Sequence, residues 1–168
     1  MHARLLKAVA LTSLTAALIG VSGDLSADVK VKDAQKYINE LRTTKDNKTK
    51  ANAITESGRI GQIQKALISS AIPDLMKALE DKDAGVRAAA ARSIGMIDPD
   101  PKETVPALVK LMKEDKDDAV RLAAVQGLGA MGEGAKDANG DLRKLIKQEE
   151  KSKLARAAKD ELKSINPK

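Results

Sequence analysis

A segment that recurs along the chain limits what it can fold into more than any other feature does. Ile72-Pro73-Asp74-Leu75 returns thirty-three positions later as Val105-Pro106-Ala107-Leu108, and Asp83-Ala84-Gly85-Val86-Arg87 returns thirty-four positions later as Asp117-Asp118-Ala119-Val120-Arg121. In the same register Ala89-Ala90 matches Ala123-Ala124, and Ile94-Gly95 matches Leu128-Gly129. A fainter copy precedes them, with Asp46 to Lys50 leading to Ala53 and Ser57-Gly58. A degraded copy follows: Leu154, Ala157-Ala158 and Leu162 keep the apolar positions, while Ala155 stands where the arginine was and Lys163 where the glycine was. A unit of this size cannot bury an apolar face alone, so copies must stack on one another. The pattern defines a leading segment, residues 1–27, and a repeat domain, residues 28–168, with units at about 33–61, 70–99, 103–134 and 138–165.

Each unit reads as a pair of helices. Ile72, Leu75, Met76 and Leu79 fall at i, i+3, i+4 and i+7, and Val86, Ala89, Ala90 and Ile94 follow a similar spacing, which gives one apolar stripe per helix. Pro73 and Pro106 stand close behind Ser70 and Thr104, which predicts a first helical turn at both, where a missing N–H leaves no bond unmade. Asp83 and Asp117 stand where a carboxylate can accept from the free N–H groups at the start of a second helix. Gly58, Gly95, Gly129 and Gly132 fall toward second-helix ends, where they allow tight turns or close helix contact. Asp98-Pro99-Asp100-Pro101 reads as the turn between the second and third units.

A proline-initiated first helix, followed by Asp-x-x-Val-Arg, Ala-Ala and Leu/Ile-Gly in the second, resembles the HEAT repeat, in particular the bacterial HEAT-like or PBS-lyase type. The resemblance implies an all-α, right-handed α-solenoid of about four helical hairpins. It also implies that the motif's aspartate and arginine bond between adjacent repeats, which makes Asp83, Arg87, Asp117 and Arg121 a structural ladder. Polar replacements in the outer copies, such as Thr49, Ser57 and Lys163, suit end units that cover one neighbour and face water on the other side.

The first residues do not share this pattern. Arg4 and Lys7 precede the uncharged run Ala8–Val21, and small residues follow, which is the layout of a secretory signal peptide cleaved after Gly23 or after Ala27. The apolar stretch is shorter than the ~20 residues of a spanning helix, so no stable membrane insertion is expected after cleavage. The mature chain is then periplasmic or secreted. With no cysteine in the chain, neither disulfides nor thiolate metal sites are available.

Chemistry is limited by what is missing. The single histidine, His2, lies in the leading segment, which removes Ser-His-Asp and Cys-His nucleophiles and histidine metal sites from the rest. Acidic clusters at Asp81/Asp83, Asp98/Asp100 and Asp115/Asp117/Asp118 do not complete a calcium loop, and helix capping accounts for them. No catalytic residue, cofactor or metal is therefore expected, and the chain is read as a monomeric, non-enzymatic scaffold or adaptor with an unidentified protein partner. The residues placed to meet that partner in a groove lined by second helices are Lys50, Arg87, Arg92, Arg121 and Gln126. Two alternatives have less support. Nucleic-acid binding has the +6 net charge in its favour, but the chain has no Phe or Trp and a single Tyr on which to stack bases. A role as accessory subunit of a lyase-type enzyme rests on the resemblance alone.

Overall fold

The computed structural model describes residues 25–97 and 100–167. Of the expected signal segment, residues 1–24 lie outside the described residues, and Leu25, Ser26 and Ala27 open the first helix. The described chain is an all-α solenoid of four successive helical pairs. The first pair is α1 (Leu25–Thr43) and α2 (Asn47–Ile63). In the second, the short α3 (Lys65–Ile68), a 3-10 turn at Ser69–Ala71 and α4 (Ile72–Ala78) together form a broken first helix, and α5 (Ala84–Ile97) returns against it. The third pair is α6 (Pro101–Glu114) and α7 (Asp118–Ala130). A 3-10 stretch, Gly132–Ala138, then leads to α8 (Asn139–Gln148) and α9 (Lys153–Ile165).

Local chemistry sets most of the helix starts. Asp46 caps α2 by accepting from the Thr49 N–H at 2.7 Å, Asp117 caps α7 through Ala119 at 2.8 Å, and Ser152 caps α9 through Ala155 at 2.9 Å. Asp83 accepts from the Val86 N–H at 3.0 Å just ahead of α5. Pro73 lies in the first turn of α4. Pro106 does not start a helix. It lies inside α6, because Asp100 accepts from the Lys102 N–H at 3.0 Å and the fixed φ of Pro101 nucleates the helix five residues earlier. Thr104, which the sequence places as the start, is fully buried, and its hydroxyl has no hydrogen-bond partner among the described residues. At the end of α7 the chain reverses through Gly132, whose φ of 55° is in the left-handed region that glycine tolerates best.

The layers are unequal. Contacts between consecutive pairs run mainly through the second helices, α2 on α5, α5 on α7 and α7 on α9. Small residues make this approach possible. A methyl added at Gly95 would overlap the Gly127 carbonyl, one at Gly127 would overlap the Ala91 carbonyl, and one at Gly58 would sit 2.6 Å from the Ser93 Cβ. The Ser93 hydroxyl donates to the Ile54 carbonyl at 3.0 Å across the same contact. With no Phe or Trp in the chain, the fully buried core is aliphatic and continuous: Ile54, Leu75, Val86, Ile94, Leu108, Val120, Leu128, Leu142 and Ile165 are all fully buried or nearly so. Contacts between consecutive first helices are sparse by comparison, so the second helices make up the tighter, inner layer of the stack.

Candidate functional site

The loop between the two helices of each pair carries a built ionic ladder. Arg87, at the start of α5 and only 7% exposed, places Nε 2.7 Å and an Nη 2.9 Å from the two oxygens of Asp115, at the end of α6 in the next pair. Its other Nη donates to the Asp81 and Lys82 carbonyls at 2.9 and 3.1 Å. One pair further along, Arg121 contacts Glu149 through an Nη and donates through Nε to the Met112 carbonyl at 3.0 Å. One pair earlier, Lys50 reaches Asp81 at 2.6 Å. The guanidinium suits the buried steps because its planar fork holds a carboxylate bidentately while its remaining N–H groups satisfy loop carbonyls.

These contacts revise the expected ladder. Both arginines bridge neighbouring pairs, but their acids are Asp115 and Glu149 rather than Asp83 and Asp117. The carboxylates of Asp83 and Asp117 are engaged at the helix starts, where they accept from the Val86 and Ala119 N–H groups. Asp83 also accepts from the Asn47 side chain at 3.1 Å, a link to the preceding pair. The sequence contained the missed signal, since Asp81, Asp115 and Glu149 recur at a spacing of thirty-four. It was obscured because each lies among other acids and the last is a glutamate. The electrostatics agree with the geometry. Hydrogen bonding to Arg87 holds the Asp115 carboxyl below its ordinary value, and Asp115 in turn raises Arg87. Burial pushes the Asp81 carboxyl up, but Lys50, the Asp83 N–H and Arg87 together bring it below its ordinary value.

The residues expected to meet a partner therefore divide. Lys50, Arg87 and Arg121 are engaged inside the solenoid, and Arg87 is inaccessible. Arg92 on α5 and Gln126 on α7 occupy equivalent positions on the inner layer, are exposed, and make no hydrogen bond or ion pair among the described residues. One turn to either side lie Ala88 and Met96 on α5, and Leu122 and Ala130 on α7. Two side chains with unused hydrogen-bonding capacity thus sit in a strip of small and apolar neighbours.

The splayed first helices leave clefts on the opposite side. One of about 600 Å³ between α4 and α6 is lined by Met76, Leu79, Ala107 and Leu111, together with Arg87 and Asp115. Another of about 650 Å³ lies between the first two pairs, where Arg42 binds Asp74 and the Ser70 carbonyl, each at 2.7 Å. Sequence reasoning did not find these clefts, because they depend on helix spacing. Among the described residues, no group of three or more acidic or histidine side chains is arranged to hold a metal ion, and no helix is long and apolar enough to cross a membrane.

Comparison with known families agrees with this geometry. A family model described as HEAT repeats matches residues 34–129 and 72–163. A comparison with curated proteins finds no match.

Proposed function

Because the chain belongs to the HEAT-repeat family, whose members generally serve as protein-interaction scaffolds, we propose that it is an exported, non-catalytic adaptor that holds a protein partner along its inner layer. The observation that carries this reading is the strip around Arg92 and Gln126. Interface cores combine apolar surface with a few anchoring groups, and arginine is among the residues enriched there. In this strip the anchors are exposed and uncommitted, whereas the ladder cations are consumed in holding the pairs together. Such a division lets the binding face vary without loss of the fold. The lack of Trp on the face points to moderate affinity. The signal-peptide layout of the first residues supports export.

The test is affinity capture from an extracytoplasmic extract of the source cell, comparing the wild-type chain with an Arg92→Glu/Gln126→Glu variant. Both residues are exposed, so the variant should melt like the wild type. A protein captured by the wild type and lost with the variant supports the adaptor reading and identifies the partner. Equal capture by both proteins would remove the inner layer from consideration. Substrate turnover by the purified chain would overturn the non-catalytic reading.

A further inference from the structure

The solenoid's charge is concentrated at one end. Residues 25–135 carry eighteen basic and seventeen acidic side chains, whereas residues 136–168 carry ten basic and six acidic ones. Contacts sharpen this imbalance, because the last pair turns much of its acid inward. Asp141 binds Lys113 at 2.7 Å and Glu149 binds Arg121, both on the preceding pair, while Asp160 is paired with Lys163 at 3.0 Å. Glu161 is half-buried against Gly129. Arg143, Lys147, Lys151, Lys153, Arg156 and Lys159 remain exposed and form no salt bridge among the described residues. Asp137 and Glu150 are the exposed acids left to oppose them.

We infer that α8 and α9 form a basic foot that lays the C-terminal end of the solenoid on an anionic lipid surface. Four of the six cations are lysines. A lysine ammonium is a hydrated point charge on a flexible stem, suited to diffuse attraction by a charged plane, and lysine is depleted at protein interfaces. Clusters of four to eight such cations on amphipathic helices are the sequence form of anionic-lipid attraction. The apolar faces of both helices are used up by the core, at Leu142, Leu145, Leu154, Ala158 and Ile165. With no aromatic ring on either helix to insert or to stack on a base, adsorption is superficial and electrostatic. Contact through the last pair leaves the inner strip at Arg92 and Gln126 open, so the foot is separate from the proposed partner face.

Co-sedimentation of the full chain with phosphatidylcholine vesicles, with and without about 30% phosphatidylglycerol, tests this at about 50 mM and about 300 mM salt. The leading segment, with Arg4, Lys7 and the apolar run Ala8–Val21, is identical in all proteins compared, so the readout is the difference between proteins in the salt-sensitive part. The wild type should bind the anionic vesicles at low salt and release at high salt. Lys147→Gln/Lys153→Gln/Lys159→Gln should lower the partition about a hundredfold, at roughly fivefold per lysine. Lys45→Gln/Lys48→Gln/Lys102→Gln, which removes equal charge elsewhere, should leave it nearly unchanged. Circular dichroism verifies that both variants fold. Three outcomes overturn the proposal: no salt-sensitive binding, equal weakening by both triple variants, or tighter binding to duplex DNA at matched phosphate concentration that the foot variant abolishes.

Discussion

Replacing Arg87 with Ala removes a buried side chain that ties Asp115 of the next pair to the Asp81 and Lys82 carbonyls of its own loop. Asp115, whose side chain is 5% exposed, loses both guanidinium bonds and keeps the Asp117 N–H at 2.9 Å, and the Asp81 and Lys82 carbonyls lose a shared donor. Leaving one buried charge without its partner costs about 3–5 kcal/mol. For a domain of this size that is a fall in Tm of roughly 10–15 °C, read by circular dichroism at 222 nm or by chemical denaturation. Arg87→Met/Asp115→Leu should recover about half of the loss or more, because it removes the stranded charge together with its partner. The pH dependence has a definite sign. Arg87 lowers the Asp115 value from its ordinary 3.8, so the pair's contribution is complete above 3.8 and is lost as pH falls through the lowered value. The gap between wild type and variant should therefore hold from neutral pH down to about pH 5 and close only in strong acid. A loss under about 1 kcal/mol at neutral pH, or a double variant no better than the single one, would refute this reasoning and reduce the ladder to a surface contact.

Four further substitutions have defined outcomes. Burial, aided by the neighbouring Asp160, raises the Glu161 carboxyl above its ordinary 4.5, so its contribution is most favourable below 4.5 and is lost as pH rises through the raised value. Glu161→Gln should thus raise Tm at pH 7 and match the wild type near pH 4, and an unchanged Tm at pH 7 would show that the carboxylate is freely solvated. Gly95→Ala should cost about 2 kcal/mol by forcing α5 from the Gly127 carbonyl, whereas Gly140→Ala, with nothing within 4 Å of the added methyl, should be neutral or stabilising by thermal melting. Val86→Asp should cost at least about 3 kcal/mol by placing an unpaired carboxylate at a site with no exposure, and a mild effect in urea denaturation would mean the α5 register is wrong.

What the sequence determined by itself is the repeating part of this protein. Local rules act within a few residues, so the apolar spacing of Val86, Ala89, Ala90 and Ile94 specified a helix and its buried face, and Asp83 and Asp117 specified where second helices begin. The recurrence of these features from unit to unit specified the stack. Pro106 was misplaced within the same reasoning, because an earlier cap, Asp100-Pro101, overrode it, and two legitimate helix starts competed in one segment. Tertiary structure alone decided which acid each arginine meets. Several carboxylates lie within reach along the chain, and only the packing of α6 beside α5 brings Asp115 to Arg87 while Asp83 and Asp117 remain at the helix ends. It also decided that Gly127 must be small, that Arg87 is buried while Arg92 is free, and that α8 and α9 commit much of their acid inward and leave their cations facing water. Those outcomes depend on the distance between helices that are neighbours in space rather than in sequence, and no periodicity along a single helix encodes that distance.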